Sequence, residues 1–258
     1  MKKPLAGIRR AGGLLSAALA GFLIRRLTRA RVPRKVIEWR HIGCTYSQFG
    51  EDVLVQRALE HLKLEGRAFY VDVGCHHPFQ YSNTLLLHWR GWQGVNIDPV
   101  RQTIDLFNQA RPSDTNLCIA VSDRKGRAEF LEYTIEATCR LAAAAGPDGR
   151  SVLGETAAGR IEVETDTLAS VLRAHAPTGL PFGFLNVDCE GADLAVLQGN
   201  DWSAFRPWII AVEDAEKRPD SDIQRFCESL GYEWFAMTHL TRIFIDTRAA
   251  GAAGTGAA

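Results

Sequence analysis

Two short stretches concentrate the residues that could do chemistry. Asp188-Cys-Glu-Gly-Ala-Asp193 sets three carboxylates within six residues, directly after the apolar run Phe182–Val187. Acids at that density could activate a hydroxyl, hold the cation of a cofactor, or bind a metal; Asp188 and Glu190, two apart, share a face while the chain is extended. The competing reading is capping of the helix that follows, but three acids exceed what one cap needs. Val71-Asp-Val-Gly-Cys-His-His-Pro78 places Asp72 just before a glycine turn and follows it with a histidine pair. His77 is a candidate for proton transfer or substrate contact because imidazole titrates near neutrality; the alternative is a hydrogen bond that fixes the loop. Adjacent side chains rarely converge, so His76 and His77 do not read as a metal pair, and no metal is assigned.

A further acid, Asp98, ends Gly94-Val-Asn-Ile-Asp98, 26 residues after Asp72. An acid at the end of a second strand, roughly 20 residues beyond a glycine turn, is the usual partner of a ribose hydroxyl pair. The alternative is that Asp98 merely begins the turn at Pro99. The turn at Gly74 is not G-x-G-x-x-G, so it offers no pyrophosphate cradle, which argues against a nicotinamide dinucleotide.

The elements that must carry these residues follow from apolar pattern and punctuation. Phe69–Val73 reads as a central strand covered on both faces, ending at Gly74. Ligands in open α/β sheets bind beyond the carboxyl ends of such strands. Before it, a helix opens after Tyr46-Ser-Gln-Phe-Gly-Glu-Asp52, with Ser47 as N-cap, Glu51 and Asp52 favoured in the first turn, and Gly66 closing it. That account leaves Gln48-Phe49-Gly50 unexplained. Ser82-Asn-Thr84 caps a helix from Leu85 to Trp89. Asn116–Val121 reads as a third strand, and Ser122 and Asp123 at its end either meet a base edge or make a turn. Arg127–Tyr133 alternates like an exposed strand. Residues 136–159, rich in Ala and Gly, suit an acceptor-facing loop. Ile161–Thr165 is a strand, and Asp166-Thr167 caps a helix from Leu168 to His175. Phe182–Val187 is a buried strand. Gly191 leads into a helix through Leu197 that Gly199 closes. Arg206–Glu213 is another strand ending in acid, Ile223–Leu230 a helix, and Tyr232–Met237 with Arg242–Asp246 a closing antiparallel hairpin.

Apolar content of 46% and charge of 23% are those of an ordinary globular protein. The zero net charge hides an asymmetry. Residues 1–40 hold eleven Lys and Arg against one acid, and the remaining 218 hold nineteen against twenty-nine. Within that basic arm, Ala11–Ile24 is a charge-free run of fourteen residues, short of the roughly 20 that span a bilayer. Its bulky residues fall on one helical face, which suits an anionic membrane surface as partner of residues 1–35; a leader sequence or disorder is the alternative. No nucleic-acid partner is expected. The six cysteines show no C-x-x-C spacing and read as reduced thiols in a cytoplasmic protein, peripheral at the inner face of a membrane if the arm binds there. Residues 249–258 are only Ala, Gly and Thr and are expected to be disordered.

In order and spacing, these motifs resemble the FkbM family of S-adenosylmethionine-dependent methyltransferases over roughly Tyr46 to Asp246. The resemblance rests on Ser47-Gln-Phe-Gly-Glu-Asp52, Val71-Asp-Val-Gly74 with His77-Pro78, Ser82-Asn-Thr84, Gly91-Trp-Gln-Gly-Val-Asn-Ile-Asp98, Ala120-Val-Ser-Asp123, Asp188-Cys-Glu-Gly-Ala-Asp193, and Arg206-Pro207 before Glu213. It departs at Asp98, where Glu is common, and at Asp193. The resemblance implies an α/β, Rossmann-like class I methyltransferase fold: a mostly parallel seven-stranded sheet with an antiparallel last strand, spanning 41–248 between the arm and the tail. It implies S-adenosylmethionine as cofactor, with Asp72 and Gly74 at its methionine end, Asp98 on the ribose, Ser122 or Asp123 near the adenine, and Gln48 also at the cofactor. It implies O-methylation of a sugar hydroxyl in a glycan, glycolipid or natural product, for which Asp188, Glu190 and His77 are the candidate bases. Two other readings compete: a nucleotide- or nicotinamide-dependent sugar-modifying enzyme, and a non-catalytic membrane-associated adaptor with the same fold.

Overall fold

Phe69–Val73 (β1) is buried along its whole length. An apolar run with one acid fits a strand covered on both faces, where no polar side alternates. Phe69, Val71 and Val73 enter one core cluster and Tyr70 enters another on the opposite face. The computed structural model describes residues 45–250 apart from 135–137, 146–147, 152 and 217. The expected basic arm, Cys44, and residues 251–258 of the expected tail lie outside the described residues. The chain divides into two units, Met1–Cys44 and Thr45–Ala258, and everything below concerns the second.

Around β1 the chain runs α1 (Glu51–His61), α2 (Leu85–Trp89), β2 (Gln93–Ile97), α3 (Arg101–Ala110), β3 (Thr115–Leu117), β4 (Ala120–Ser122), β5 (Gly126–Glu132), β6 (Arg140–Leu141), β7 (Gly159–Thr167), α4 (Leu168–His175), β8 (Phe182–Val187), α5 (Asp193–Gln198), β9 (Ile209–Glu213), α6 (Asp222–Ser229), β10 (Glu233–Met237) and β11 (Thr241–Ile245). The main sheet has seven strands in the order β10-β11-β9-β8-β1-β2-β3. From β9 to β3 every pairing is parallel. β11 is antiparallel to both of its neighbours, as the expected hairpin requires. Strand order reverses between β1 and β8, and a crevice at such a switch point is where open α/β sheets take ligands.

Both sheet faces are covered. Leu168, Val171 and Leu172 of α4, Val196 and Leu197 of α5 and Cys227 of α6 pack on one side. Val55, Ala58 and Leu59 of α1, with Leu87 of α2, pack on the other. Thr167 caps α4 as expected, its hydroxyl accepting from Ser170 N at 3.2 Å.

Several expectations change. The predicted strand Asn116–Val121 is broken: Thr115–Leu117 joins the main sheet, while Ala120–Ser122 pairs in parallel with β7 in a second sheet, β4-β7-β5-β6. The long β5–β7 hairpin offers an edge to Ala120–Ser122, and the chain leaves β2 to take it. Nor is 136–159 simply a loop: β6 pairs with β5 through Phe130 with Leu141 and Leu131 with Arg140. α1 ends at His61, short of Gly66. Gly50, at φ +90°, holds its N-cap position, where a left-handed backbone favours glycine. Ser47 works on the same turn, its hydroxyl accepting from Gly50 N and Asp52 N. Glu51 and Asp52 stand in the first turn as expected and are anchors besides. Asp52 accepts from Thr45 Oγ1, Tyr46 N, Ser47 Oγ and Val53 N, and Glu51 accepts from Phe49 N and from Thr238 Oγ1. Ala249, expected to open the tail, is ordered: Thr247–Ala249 form a 3-10 turn with Ala249 buried in the core. Among the described residues no helix is long and apolar enough to cross a membrane.

Candidate active site

A cavity of about 800 Å³ opens at the carboxyl ends of β1, β2, β8 and β9, a size that suits a cofactor with part of a second substrate. Gln48, Asp72, Gly74, His77, Asp98, Asp188 and Glu190 all line it. Ser122 and Asp123 do not. β4 turns into the second sheet, so Ile119, Ala120 and Val121 form that part of the wall, while Ser122 donates to Asp123 at 3.2 Å at the surface.

Asp72 is 2% exposed at the cavity floor. Its Oδ2 accepts from Thr84 Oγ1 at 2.7 Å and its Oδ1 from Asn186 Nδ2 at 2.9 Å. Burial pushes its carboxyl up, and Thr84, the Arg111 charge and Asn186 push it back toward the ionised form. Thr84 stands at the N-cap of α2 but makes no cap bond; its hydroxyl donates to Asp72 and accepts from Arg111 instead. Gly74 has φ +77°, and a Cβ there would meet the Asp188 carbonyl oxygen at 1.8 Å. Glycine is required at this turn for close packing of β1 on the end of β8.

Asp98 sits beside Asp72, one strand over. Its Oδ1 accepts from Val100 N at 2.9 Å and its Oδ2 from His76 N at 3.2 Å. Each carboxylate oxygen has two lone pairs, so one on each remains for a hydroxyl pair. Burial pushes Asp98 up to about 6 against these two backbone donors. The chemistry of this set fits the ribose and amino groups of a nucleoside-type cofactor, with Asp98 taking two vicinal hydroxyls and Asp72 a cation.

On the side of β1 away from β2, the acids after β8 meet Glu213 at the end of β9. Asp188, Glu190 and Glu213 each offer an oxygen within 4.8 Å of the others, a set that could hold a divalent cation. Ala192 holds the N-cap position of α5 and makes no side-chain cap bond, and Asp193, the first helical residue, ties down the turn before the helix. Its Oδ1 accepts from Cys189 N at 2.8 Å and its Oδ2 from Gly191 N at 2.9 Å, so capping accounts for neither Asp188 nor Glu190. Glu190, with φ +53°, pairs with Arg140 Nη2 at 2.8 Å, a cation brought in by β6 of the second sheet. Asp188 has no side-chain hydrogen bond among the described residues. Burial and then the charges of Glu213, Asp193, Glu190 and Asp72 push its carboxyl well above the ordinary range. Burial pushes Glu190 up to about 7 despite Arg140, and burial with the Asp193 and Glu190 charges pushes Glu213 up to about 8. Carboxyls so raised take up a proton near neutrality, as a general base must.

His77 lines the cavity, yet its Nδ1 accepts from Phe79 N at 3.1 Å and Gln80 N at 3.0 Å. With Nδ1 so engaged the ring proton sits on Nε2, leaving no lone pair for a base. The fixing of the loop is the role this geometry supports. Cys75 and Cys189 also line the wall, and burial pushes both thiols well up, so neither is a thiolate nucleophile.

Sequence reasoning passed over Glu213, Thr84, Asn186, Arg140 and Arg111. Glu213 carried a readable signal, an acid at a strand end like Asp98 and Asp188. Thr84 was read only as a cap, and Asn186, Arg140 and Arg111 carried none: they act across long sequence separations, such as the 114 residues between Asn186 and Asp72. Gln48 lies at the cavity mouth because Glu51 ties its turn to Thr238, and Phe49 packs at a tilt against His239 with ring centroids 5.0 Å apart.

Compared with known proteins, residues 72–234 match a family model described as the methyltransferase FkbM domain. No curated protein and no solved structure matches the chain.

Proposed function

The chain belongs to the FkbM methyltransferase family, and on that premise we propose that it is an S-adenosylmethionine-dependent O-methyltransferase acting on a sugar hydroxyl of a glycan, glycolipid or glycosylated natural product. The observation that carries this reading is one cavity lined by two sets of acids: Asp72 and Asp98 from β1 and the end of β2, and the carboxyl cluster at the ends of β8 and β9. We read the main sheet as the Rossmann-like class I methyltransferase type, on its parallel run and the antiparallel β11 set between β9 and β10.

When bound, S-adenosylmethionine supplies a methyl group already activated for displacement at carbon. Asp72 receives the cofactor's amino group and Asp98 its ribose hydroxyls. The protein's share of the reaction is then alignment and proton removal. Asp188 is the first candidate base. It faces the cavity, its environment makes it more basic than a free carboxylate, and its oxygens are open to the acceptor's O–H. Glu190 is second, because Arg140 holds it; the arginine also balances part of the cluster's charge once a proton has arrived. Glu213 keeps Asp188 basic by like-charge repulsion.

The test is calorimetric titration of S-adenosylmethionine into the full chain, with Asp98→Ala as control. Binding that the substitution weakens at least tenfold supports the reading; no binding to a folded sample sinks it. Transfer of label from methyl-labelled cofactor to glycan or glycolipid fractions then checks the acceptor class. An ether survives mild base and an ester does not, which checks the O-methyl assignment. Residues 1–35 remain proposed as the contact with an anionic membrane surface, on their charge alone.

A further inference from the structure

Arg111, the residue after α3, is 1% exposed. Burying a charge is costly unless it is paired. Yet among the described residues no salt bridge joins it directly to a carboxylate. Its guanidinium lies 5.0 Å from the Phe107 ring centroid and meets only neutral oxygens. Nη1 donates to Thr84 Oγ1 at 2.9 Å and Tyr70 Oη at 3.1 Å; Nη2 donates to Pro78 O at 2.5 Å and Ser82 Oγ at 3.0 Å.

These bonds have a direction. An arginine only donates, and a hydroxyl has one proton. Thr84 Oγ1 accepts from Arg111, so its own proton points to Asp72 Oδ2, 2.7 Å away. Tyr70 Oη accepts likewise and turns its proton onto Asp114 Oδ2 at 2.7 Å. The buried cation is therefore matched to two buried carboxylates through two hydroxyls. The same side chain grips the loop from Pro78 to Thr84 at three points. That loop reaches the other oxygen of Asp72 as well, since Asn83 Nδ2 donates to Asn186 Oδ1 at 2.9 Å and Asn186 Nδ2 donates to Asp72 Oδ1.

We propose that Arg111 is a positioning residue for the cofactor: it turns the Thr84 proton onto Asp72 and pins the Pro78–Thr84 loop, so that the Asp72 carboxylate stands ready for the amino group of S-adenosylmethionine. The proposal rests on the reading of this cavity as the cofactor site. It gives a physical reason for an arginine at a position where a large apolar residue would otherwise pack. Cutting the relay leaves Asp72 among groups that disfavour its charge. Asp98 and Asp188 face it from the ends of β2 and β8, Tyr70 lies on its own strand and Cys75 follows Gly74, with Arg111 the one facing cation among the described residues.

The experiment is titration of S-adenosylhomocysteine, which carries the same amino group and is stable across pH, into the full chain between pH 5.5 and 8. Thr84→Val removes the relaying hydroxyl with little change of shape, Thr84→Ser restores it, and Arg111→Gln keeps a donor but drops the charge. Circular dichroism and thermal melting verify that each is folded. Without the relay Asp72 holds a proton to higher pH, so affinity is lost most at the acid end and recovers as pH rises. Taken as a ratio to wild type, which cancels the titration of Asp98, the loss in Thr84→Val is expected to be about tenfold near pH 5.5 and to shrink toward pH 8, as for loss of a hydrogen bond to a charged group. Thr84→Ser should track wild type, and Arg111→Gln should slope as Thr84→Val does; if Arg111→Gln does not fold, the two Thr84 variants decide. A ratio that is flat with pH, or no loss at all, overturns the relay while leaving the cofactor site standing. No binding by folded wild type overturns the cofactor reading and the proposal with it.

Discussion

The cavity acids differ in what surrounds them, and single substitutions should separate their roles. Asp188→Asn removes the least encumbered base and leaves Asp72 and Asp98 in place. We expect turnover to fall by about 10²- to 10⁴-fold, the usual range for a general base, with cofactor affinity changed no more than a few-fold. Equal losses in both would mean that Asp188 holds the cofactor instead. Arg140→Ala leaves Glu190 unpaired among acids, so the acid limb of the pH–rate profile should move to higher pH, a shift that steady-state rates between pH 5 and 9 would reveal. These acids were legible in the sequence because carboxylates at the ends of apolar runs advertise themselves. Thr84 was legible only as a cap, and Arg111 not at all. A hydroxyl and a guanidinium fit many places, and only the fold brings them within 2.9 Å across 27 residues.

Among the elements, the junction of β1 with β8 carries the tightest constraint. Gly74→Ala would drive a Cβ into the Asp188 carbonyl and hold a side chain at φ +77°. The turn can relax only by parting the strands that carry Asp72 and Asp188. Destabilisation of about 3 kcal/mol or more is expected from denaturant melts, together with loss of cofactor binding. An alanine that left both unchanged would show that the turn is slack. The strands of the main sheet were readable as apolar runs and the glycine as a turn. What periodicity could not supply was partnership. The run from Asn116 to Val121 has the composition of one strand but is shared between two sheets, and that error carried Ser122 and Asp123 to the wrong wall. The end of α1 was misjudged for a related reason: Leu62 and Leu64 are buried and continue the apolar pattern after the helix has stopped.

For the molecule as a whole, a cluster of carboxyls raised by burial links stability to pH. Asp98, Glu190 and Glu213 stand at about 6, 7 and 8 in the folded chain, above the ordinary carboxylate values. The folded state therefore binds their protons more tightly than the unfolded one. Their contribution is complete below the unfolded values and is lost as pH rises through 6 to 8. The unliganded chain should melt at progressively lower temperature from pH 5 to pH 9. Glu213→Gln should flatten the upper part of that curve and gain on the order of 1 kcal/mol at pH 9, because one repelling charge is gone. Scanning calorimetry across that range checks both, and a curve that rises with pH would contradict the burial of the cluster. The same scale holds the charge asymmetry. Co-sedimentation of the full chain with anionic but not neutral vesicles, abolished by high salt, is the outcome expected if residues 1–35 meet a membrane.

The hydrogen bond from Thr238 to Glu51 joins residues 187 apart in the chain. On the ribosome, α1, β1, β2, β8 and β9 all emerge before the hairpin of β10 and β11, and β11 must then slot between β9 and β10. Until it does, the edge of β9 is bare and the turn bearing Gln48 and Phe49 has neither Thr238 nor His239 to rest on. The cofactor-facing acids are thus laid down early in synthesis and the mouth last. A nascent chain released after α6 would carry Asp72, Asp98 and Asp188 and still lack the wall that closes over them.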